Sequence, residues 1–260
     1  MLRFVATVLL FSAVTCQDDL VLRLTNQLND LRAQLDAIKE RCSDLDPLGG
    51  MVEEDGYFLA FKLFAGNGRD AFGSYGSLDE NNDVVFQRYV TPSSCRHTGA
   101  CGHNFRGDFL FYWDELLVDT VKVNIHKNGE VVHYAVFNGT GSTYLNWFNQ
   151  TKLLESSWLD LKTSSTNFFS IYGNSKLRRQ FYISSNSTDC GSDAGWLVIK
   201  NSKEKCSWGK LPKTAKYPVI FYANPNHAVK FSSGDLGQAD SISIWVKLQG
   251  GVKPRLPCIE

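Results

Sequence analysis

The sequence predicts a mostly β protein: an antiparallel β-sandwich or jelly-roll domain preceded by a short coiled-coil helix. Three observations carry that expectation. Beyond residue 50 the chain runs in short aromatic and β-branched stretches split by Gly, Asn, Asp and Ser, the pattern of many strands joined by turns. One such turn, Asn128-Gly129, joins two alternating segments as a two-residue hairpin does. Between residues 17 and 42, by contrast, apolar residues return every three or four positions, which is a helical period.

The chain opens with a predicted cleavable signal peptide over residues 1–16. Arg3 supplies a positive start, Phe4 to Phe11 an apolar run broken only by Thr7, and Ser12-Ala13-Val14-Thr15-Cys16 the small residues that precede a cut. That run is too short to cross a hydrocarbon core, which takes about 20 residues, and no later run is long enough. The expectation is a secreted, extracellular protein with no membrane span.

Residues 17–42 form the predicted oligomerisation helix. Val21, Leu24, Leu28, Leu31, Leu35 and Ile38 are spaced three, four, three, four and three apart, an a/d seam. Cys42 falls at the next a position, where it would face its symmetry mate in a parallel bundle. The e and g positions supply no complementary charge pairs, so they fix neither partner number nor orientation. The seam predicts a homo-oligomer; a helix folded back on its own domain would show the same stripe. Residues 43–50, with Pro47-Leu48-Gly49-Gly50, read as a linker.

One domain is expected from 51 to 260. Its strand-like runs are Tyr57–Phe64, Val84–Val90, Phe168–Tyr172, Gln180–Ile183, Trp196–Lys200, Val219–Tyr222 and Ser241–Leu248. Val121, Val123 and Ile125 alternate with polar residues before the Asn128-Gly129 turn, and Val131 to Phe137 return. Only Lys152 to Lys162 carries a helical period in this region. Apolar residues at 43% and aromatics at 13% are enough to fill a sizeable core.

Charge is balanced at 27 basic and 27 acidic residues, and cleavage would remove Arg3 to leave 26 against 27. A balance of that kind argues against a nucleic-acid binder, which needs a field of one sign. Losing Cys16 would leave an even set: Cys42, Cys95, Cys101, Cys190, Cys206 and Cys258. In a secreted chain an even set points to disulfides, and six cysteines allow fifteen pairings. Proximity favours Cys95 with Cys101 and Cys190 with Cys206. Cys42 and Cys258 then bracket the globular region, to tie its ends together or to bridge to another chain. Sequons at Asn138, Asn149 and Asn186 are candidate glycan sites; Asn186, in a polar Ser/Asn/Thr cluster, is the most convincing, and Asn138, after a strand-like run, is expected to be too buried for modification.

Little in the sequence carries chemistry. Cys95-Arg96-His97 with Cys101-Gly102-His103 has a spacing that could gather four zinc ligands, but an oxidising compartment favours the disulfide, because zinc needs both thiolates. Asp189-Cys190-Gly191-Ser192-Asp193 is oxygen-rich, yet Ala194, Trp196 and Leu197 stand where later calcium ligands should be. No metal and no cofactor are expected. No serine elbow, metalloprotease helix or phosphate-binding loop is present, so no enzyme is expected. Trp147 and Trp208 lie in polar surroundings and are candidate ligand-facing rings for a glycan, while Trp196 and Trp245 sit in apolar strands and are expected in the core.

The stretches Phe137 to Ser142, Trp147-Phe148, Asp160-Leu161, Phe169 to Gly173 and Arg179-Gln180-Phe181 are followed by Cys190, Asp193 to Val198 and Cys206-Ser207-Trp208. Together they resemble uncharacterised secreted proteins of marine invertebrates, chiefly molluscs, built as signal peptide, short coiled coil and cysteine-containing β domain. The resemblance covers roughly residues 105 to 248. It implies an extracellular location and a style of protein, of the kind found in mucus, body fluids and shell matrix. The heptad seam, the disulfides, the sequons and the missing catalytic constellation add the expectation of a non-enzymatic, self-associating glycoprotein of the shell or mucus matrix, partnered by matrix components or glycans. The alternative is an oligomeric lectin or humoral recognition protein.

Overall fold

A computed structural model describes residues 21, 23–34, 53–78, 84–85, 95, 99–203, 205–209, 211–212 and 214–251. Helix α1 covers residues 23–34, and Val21 just before it is helical too. Local hydrogen bonds brace it: Thr25 Oγ1 donates to the Val21 carbonyl at 2.8 Å, and Gln34 Nε2 to Asp30 Oδ2 at 3.0 Å. The seam lies open, with Val21, Leu24, Leu28 and Leu31 exposed by 57, 55, 51 and 61%. Residues 1–16, Leu35, Ile38, Cys42, the 43–50 linker and Cys258 lie outside the described residues.

Gly50–Pro254 form one compact unit, separate from the unit that holds α1. Two antiparallel sheets build it among the described residues. The first runs β1 (Glu53–Glu54), β2 (Tyr57–Phe64), β15 (Ser241–Leu248), β6 (Val118–Lys127), β7 (Glu130–Asn138) and β8 (Leu153–Ser156), with β5 (Phe105–Arg106) also on β2. The second runs β14 (Leu236–Ala239), β12 (Val219–Ala223), β11 (Ala194–Lys200), β10 (Arg179–Asn186) and β9 (Phe168–Ser170), with β13 (Val229–Lys230) on β11. A ribbon of β3 (Ser77–Leu78) and β4 (Val84–Val85) and a short helix α2 (Ala71–Tyr75) complete the unit. The mostly β, sandwich-like class expected from the sequence is the class observed.

The hairpin forms as its turn chemistry requires. Asn128 and Gly129 take φ of 52° and 85°, the paired left-handed positions of a type I′ turn, and Ile125 faces His133 across it. The Lys152 to Lys162 segment is a correction, because it is not a helix. A 3-10 turn at Gln150–Lys152 leads into β8, where Leu153 pairs with Phe137. Beyond it, tertiary hydrogen bonds outweigh the weak helical period. Trp158 Nε1 donates to the Ala223 carbonyl at 3.0 Å, and Asp160 accepts from Trp196 Nε1 at 2.7 Å and the Ala228 amide at 3.0 Å.

The sheets meet through aromatic side chains. Phe61 of β2 stacks over Phe181 of β10, Phe137 of β7 meets Phe169 of β9 edge-on, and His133 of β7 lies 5.4 Å from the Tyr222 ring of β12. Each sheet is also covered on its outer face. Leu59, Phe64, Phe105, Trp245 and Cys95 form a cluster outside the first, and Tyr182, Val198, Val219, Phe221 and Phe231 one outside the second. Burial on both faces is why β11 and β12 read as unbroken apolar runs rather than alternating ones.

Disulfides secure both covers. Cys95–Cys101 and Cys190–Cys206 bridge Cα atoms 5.6 and 4.9 Å apart, the two pairings expected from proximity. They indicate an oxidising environment. Among the described residues, no helix is long and apolar enough to cross a membrane.

Candidate functional site

A cleft opens where β2 leaves its sheet. Residues 65–70 fold against the start of β12: the Gly66 and Gly68 amides donate to the Pro218 and Tyr217 carbonyls at 2.8 and 2.7 Å. Asn201, just past β11, ties in two more walls. Its amide donates to the Arg178 carbonyl at 3.1 Å, and its Oδ1 accepts from the Ala71 amide at 2.9 Å. The open space is about 910 Å3 and is lined by Arg69, Asp70, Arg178, Asn201, Lys216 and Tyr217, among others. Backbone hydrogen bonds fix these walls, so the cleft exists before any ligand arrives.

Its charge is one-sided. Arg69, Arg178 and Lys216 line it against one carboxylate, Asp70, so three positive charges meet one negative. Asp70 is committed elsewhere as well. Its Oδ1 accepts the Gly73 amide at 2.7 Å as the cap of α2, and its Oδ2 lies 3.8 Å from Arg178 Nη2. Arg69 Nη2 donates to His103 Nδ1 at 3.4 Å. Arg178 has a φ of 51°, a left-handed position unusual for a residue with a side chain.

Beneath the cover of the second sheet lies a buried ionic layer. Arg179 and Lys200 face each other across β10 and β11, and both are fully buried. Arg179 Nη2 meets Asp193 Oδ2 at 2.8 Å, and Lys200 Nζ donates to the Gly209 carbonyl at 3.2 Å. The Trp208 ring lies 4.9 Å from the Arg179 guanidinium and 4.8 Å from the Lys200 ammonium, while its Nε1 donates to Asp193 Oδ2 at 3.1 Å.

Trp208 is therefore half-buried and serves internal cations rather than facing a ligand. Trp147 is also a correction: it is 0% exposed, stacked on Trp113 and edge-on to Phe137, and donates Nε1 to Tyr75 Oη and the Tyr144 carbonyl. The polar letters around it belong to surface turns, while the ring points inward. Trp196 and Trp245 are buried as expected.

Exposure of the sequons does not follow the order the sequence suggests. Asn138, at the end of β7, is exposed rather than buried, as is Asn149; Asn186 is half-buried. In all three the Asn Oδ1 accepts the backbone N–H two residues on, at 2.9, 3.0 and 3.2 Å. The side-chain oxygen is held by an Asx turn, and the amide nitrogen donates no hydrogen bond among the described residues.

The oxygen-rich turn does not converge. Asp189 Oδ1 accepts the Gly191 and Ser192 amides, each at 2.8 Å, and these bonds hold its carboxyl below the usual range. Asp193 instead turns inward to Arg179. Among the described residues no group of three His, Cys, Asp or Glu side chains is placed to hold a metal ion.

A second polar site lies on the first sheet. Trp245 Nε1 and His126 Nε2 each lie 2.7 Å from Ser243 Oγ. Burial, and then the nearby Lys62 ammonium, push His126 down to about 4.

Fold and disulfides together define the class: an antiparallel, two-sheet, disulfide-bearing β protein with a separate helix. No family model, curated protein or solved structure matches the chain.

Proposed function

We propose that the chain is a secreted, non-enzymatic glycoprotein that self-associates through its N-terminal helix and serves as an extracellular matrix component of the shell- or mucus-matrix kind. The open apolar seam of α1 carries the reading. Four apolar side chains at heptad spacing stand at least half exposed, three on a helix of twelve described residues and Val21 just before it. A lone helix of that length is marginal in water, and a like stripe on a second copy is the surface that heptad spacing fits. The oxidising environment implied by the disulfides agrees with export, and the three Asx-turned sequons offer side chains that a glycosylating enzyme can reach.

The non-enzymatic part is supported by how the most enzyme-like pair is used. Ser157 Oγ lies 2.9 Å from His133 Nδ1, but His133 Nε2 faces the Asn224 carbonyl at 3.1 Å and its ring stacks on Trp158. This histidine is a strut between the sheets. A second reading, an oligomeric glycan-recognition protein, is favoured by the cationic cleft.

Sedimentation of the glycosylated, signal-cleaved protein at micromolar concentration is the test. An oligomer is expected, with Leu28→Glu/Leu31→Glu sedimenting as a monomer whose β unit melts unchanged. A monomeric parent protein overturns self-association. A glycan array read with and without calcium separates the matrix and recognition readings.

A further inference from the structure

We infer that the cleft bounded by residues 65–70, Arg178, Asn201 and Lys216 is a binding site for an anionic polysaccharide, with Arg69, Arg178 and Lys216 as its oxyanion contacts. The inference rests on the extracellular placement proposed above, but not on self-association, because every contact lies within one β unit.

Charge segregation is the first support. The chain as a whole is neutral, yet residues 174–178 and 201–217, which leave out the buried Arg179 and Lys200, together hold seven basic side chains and one acidic one. The basic set is Lys176, Arg178, Lys203, Lys205, Lys210, Lys213 and Lys216; the acidic one is Glu204. Both segments adjoin the same end of the second sheet, where Arg179 pairs with Lys200 and Lys200 with Val219. Among the described residues, Lys176, Lys203, Lys205 and Lys216 are exposed and make no ion pair within 4 Å. A field of one sign concentrated at one end attracts a ligand of the opposite sign, even on a neutral protein.

Shape is the second support. The space, about 910 Å3, is far larger than one sulfate or phosphate needs and suits a ligand of several linked rings. Guanidinium groups pair with planar or tetrahedral oxyanions through two parallel N–H bonds, and an ammonium adds a point charge. Oxyanions repeated along a flexible polymer, as sulfates or carboxylates on a saccharide chain are, match three separated cations around an open trough. Each contact is solvent-exposed and so weak alone, and repetition along the polymer supplies the affinity.

The test uses the full mature chain with heparin as the sulfated probe, hyaluronan as the carboxylate-only probe and a DNA duplex as a polyanion without sugar acids. Arg69→Ser/Lys216→Ser is compared with Lys152→Ser/Lys162→Ser, which removes equal charge elsewhere. Circular dichroism and melting confirm folding, and the single Lys216→Ser variant serves if the double variant melts early. The expected result is salt-dependent binding of at least one polysaccharide. The cleft variant should weaken it about tenfold or more, and the control variant less than about twofold. Which polysaccharide binds identifies sulfate or carboxylate as the recognised group. Failure of both to bind overturns the proposal, as does equal weakening by both double variants. DNA bound as tightly, with the same sensitivity to the cleft variant, overturns the saccharide assignment. A monomeric Leu28→Glu/Leu31→Glu protein that still binds leaves the cleft intact while self-association stands or falls separately.

Discussion

Replacing Asp193 by Asn withdraws a charge from the most buried ionic contact described. The side chains of Arg179 and Asp193 are 0 and 2% exposed, and they meet at 2.8 Å. The same carboxylate oxygen accepts the Trp208 indole at 3.1 Å, and Lys200 sits across the strand from Arg179. Breaking a buried pair by removing one partner costs about 3–5 kcal/mol, because the remaining ion was desolvated on the strength of the other. In a domain of this size each kcal/mol shifts Tm by about 2–4 °C, so a fall of roughly 6–20 °C is expected for Asp193→Asn. The internal reference is Lys127→Gln, which removes the Lys127–Asp240 pair. Those side chains are 38 and 39% exposed at 3.0 Å, and such a pair is worth at most about 1 kcal/mol. Both variants are melted at one scan rate and unfolded in urea without reductant. If Asp193→Asn melts within about 4 °C of Lys127→Gln, burial does not govern the worth of this pair and the reasoning fails.

Two further predictions concern backbone and pH. Gly173 has φ +64°, and a Cβ there would drive into the Arg179 carbonyl oxygen, whereas Gly234 at φ +89° has open space around it. Gly173→Ala should cost on the order of 2–4 kcal/mol and Gly234→Ala about 1 kcal/mol; equal urea midpoints would count against the clash. For pH, His126 is held near 4 by burial and by Lys62, against an ordinary value of 6.5, and burial lowers His133 in the same direction. Between 6.5 and 4 the unfolded chain therefore binds protons that the folded chain refuses, so stability must fall as pH falls through that window. His126→Asn should flatten the decline, and an unchanged slope in urea midpoint against pH would show that this histidine titrates normally.

The fold was largely legible because its local signals are strong. Tyr57–Phe64 and Ser241–Leu248 appear as strands with the limits their patterns suggest, and Asn128-Gly129 forms the turn that only left-handed-tolerant residues make cheaply. The site was mostly not legible. Arg69, Arg178 and Lys216 are separated by long stretches of chain and share no motif; sheet pairing and the hydrogen bonds of Gly66, Gly68 and Asn201 bring them together. Whole-chain charge concealed them, since a sum over 260 residues cannot report where on the surface the cations gather. One signal was there to be read: the run of lysines between residues 200 and 217 with a single acid. Trp147 misled for a related reason. Its neighbours are polar in sequence, but side-chain direction in a turn is set by what the ring can pack against, here Trp113 and Phe137.

By itself the sequence determined the β class, the Asn128-Gly129 turn and the apolar seam at heptad spacing, and nearness along the chain favoured the two disulfides that form. Each depends on residues close along the chain, where steric rules and periodicity act directly. Only the tertiary structure decided that both sheets are covered on their outer faces, that Arg179 and Lys200 are buried around Trp208, and that exposed cations collect around one cleft. Those outcomes depend on which distant segments meet, and that is settled by burial and hydrogen bonding over the whole unit rather than by any local pattern.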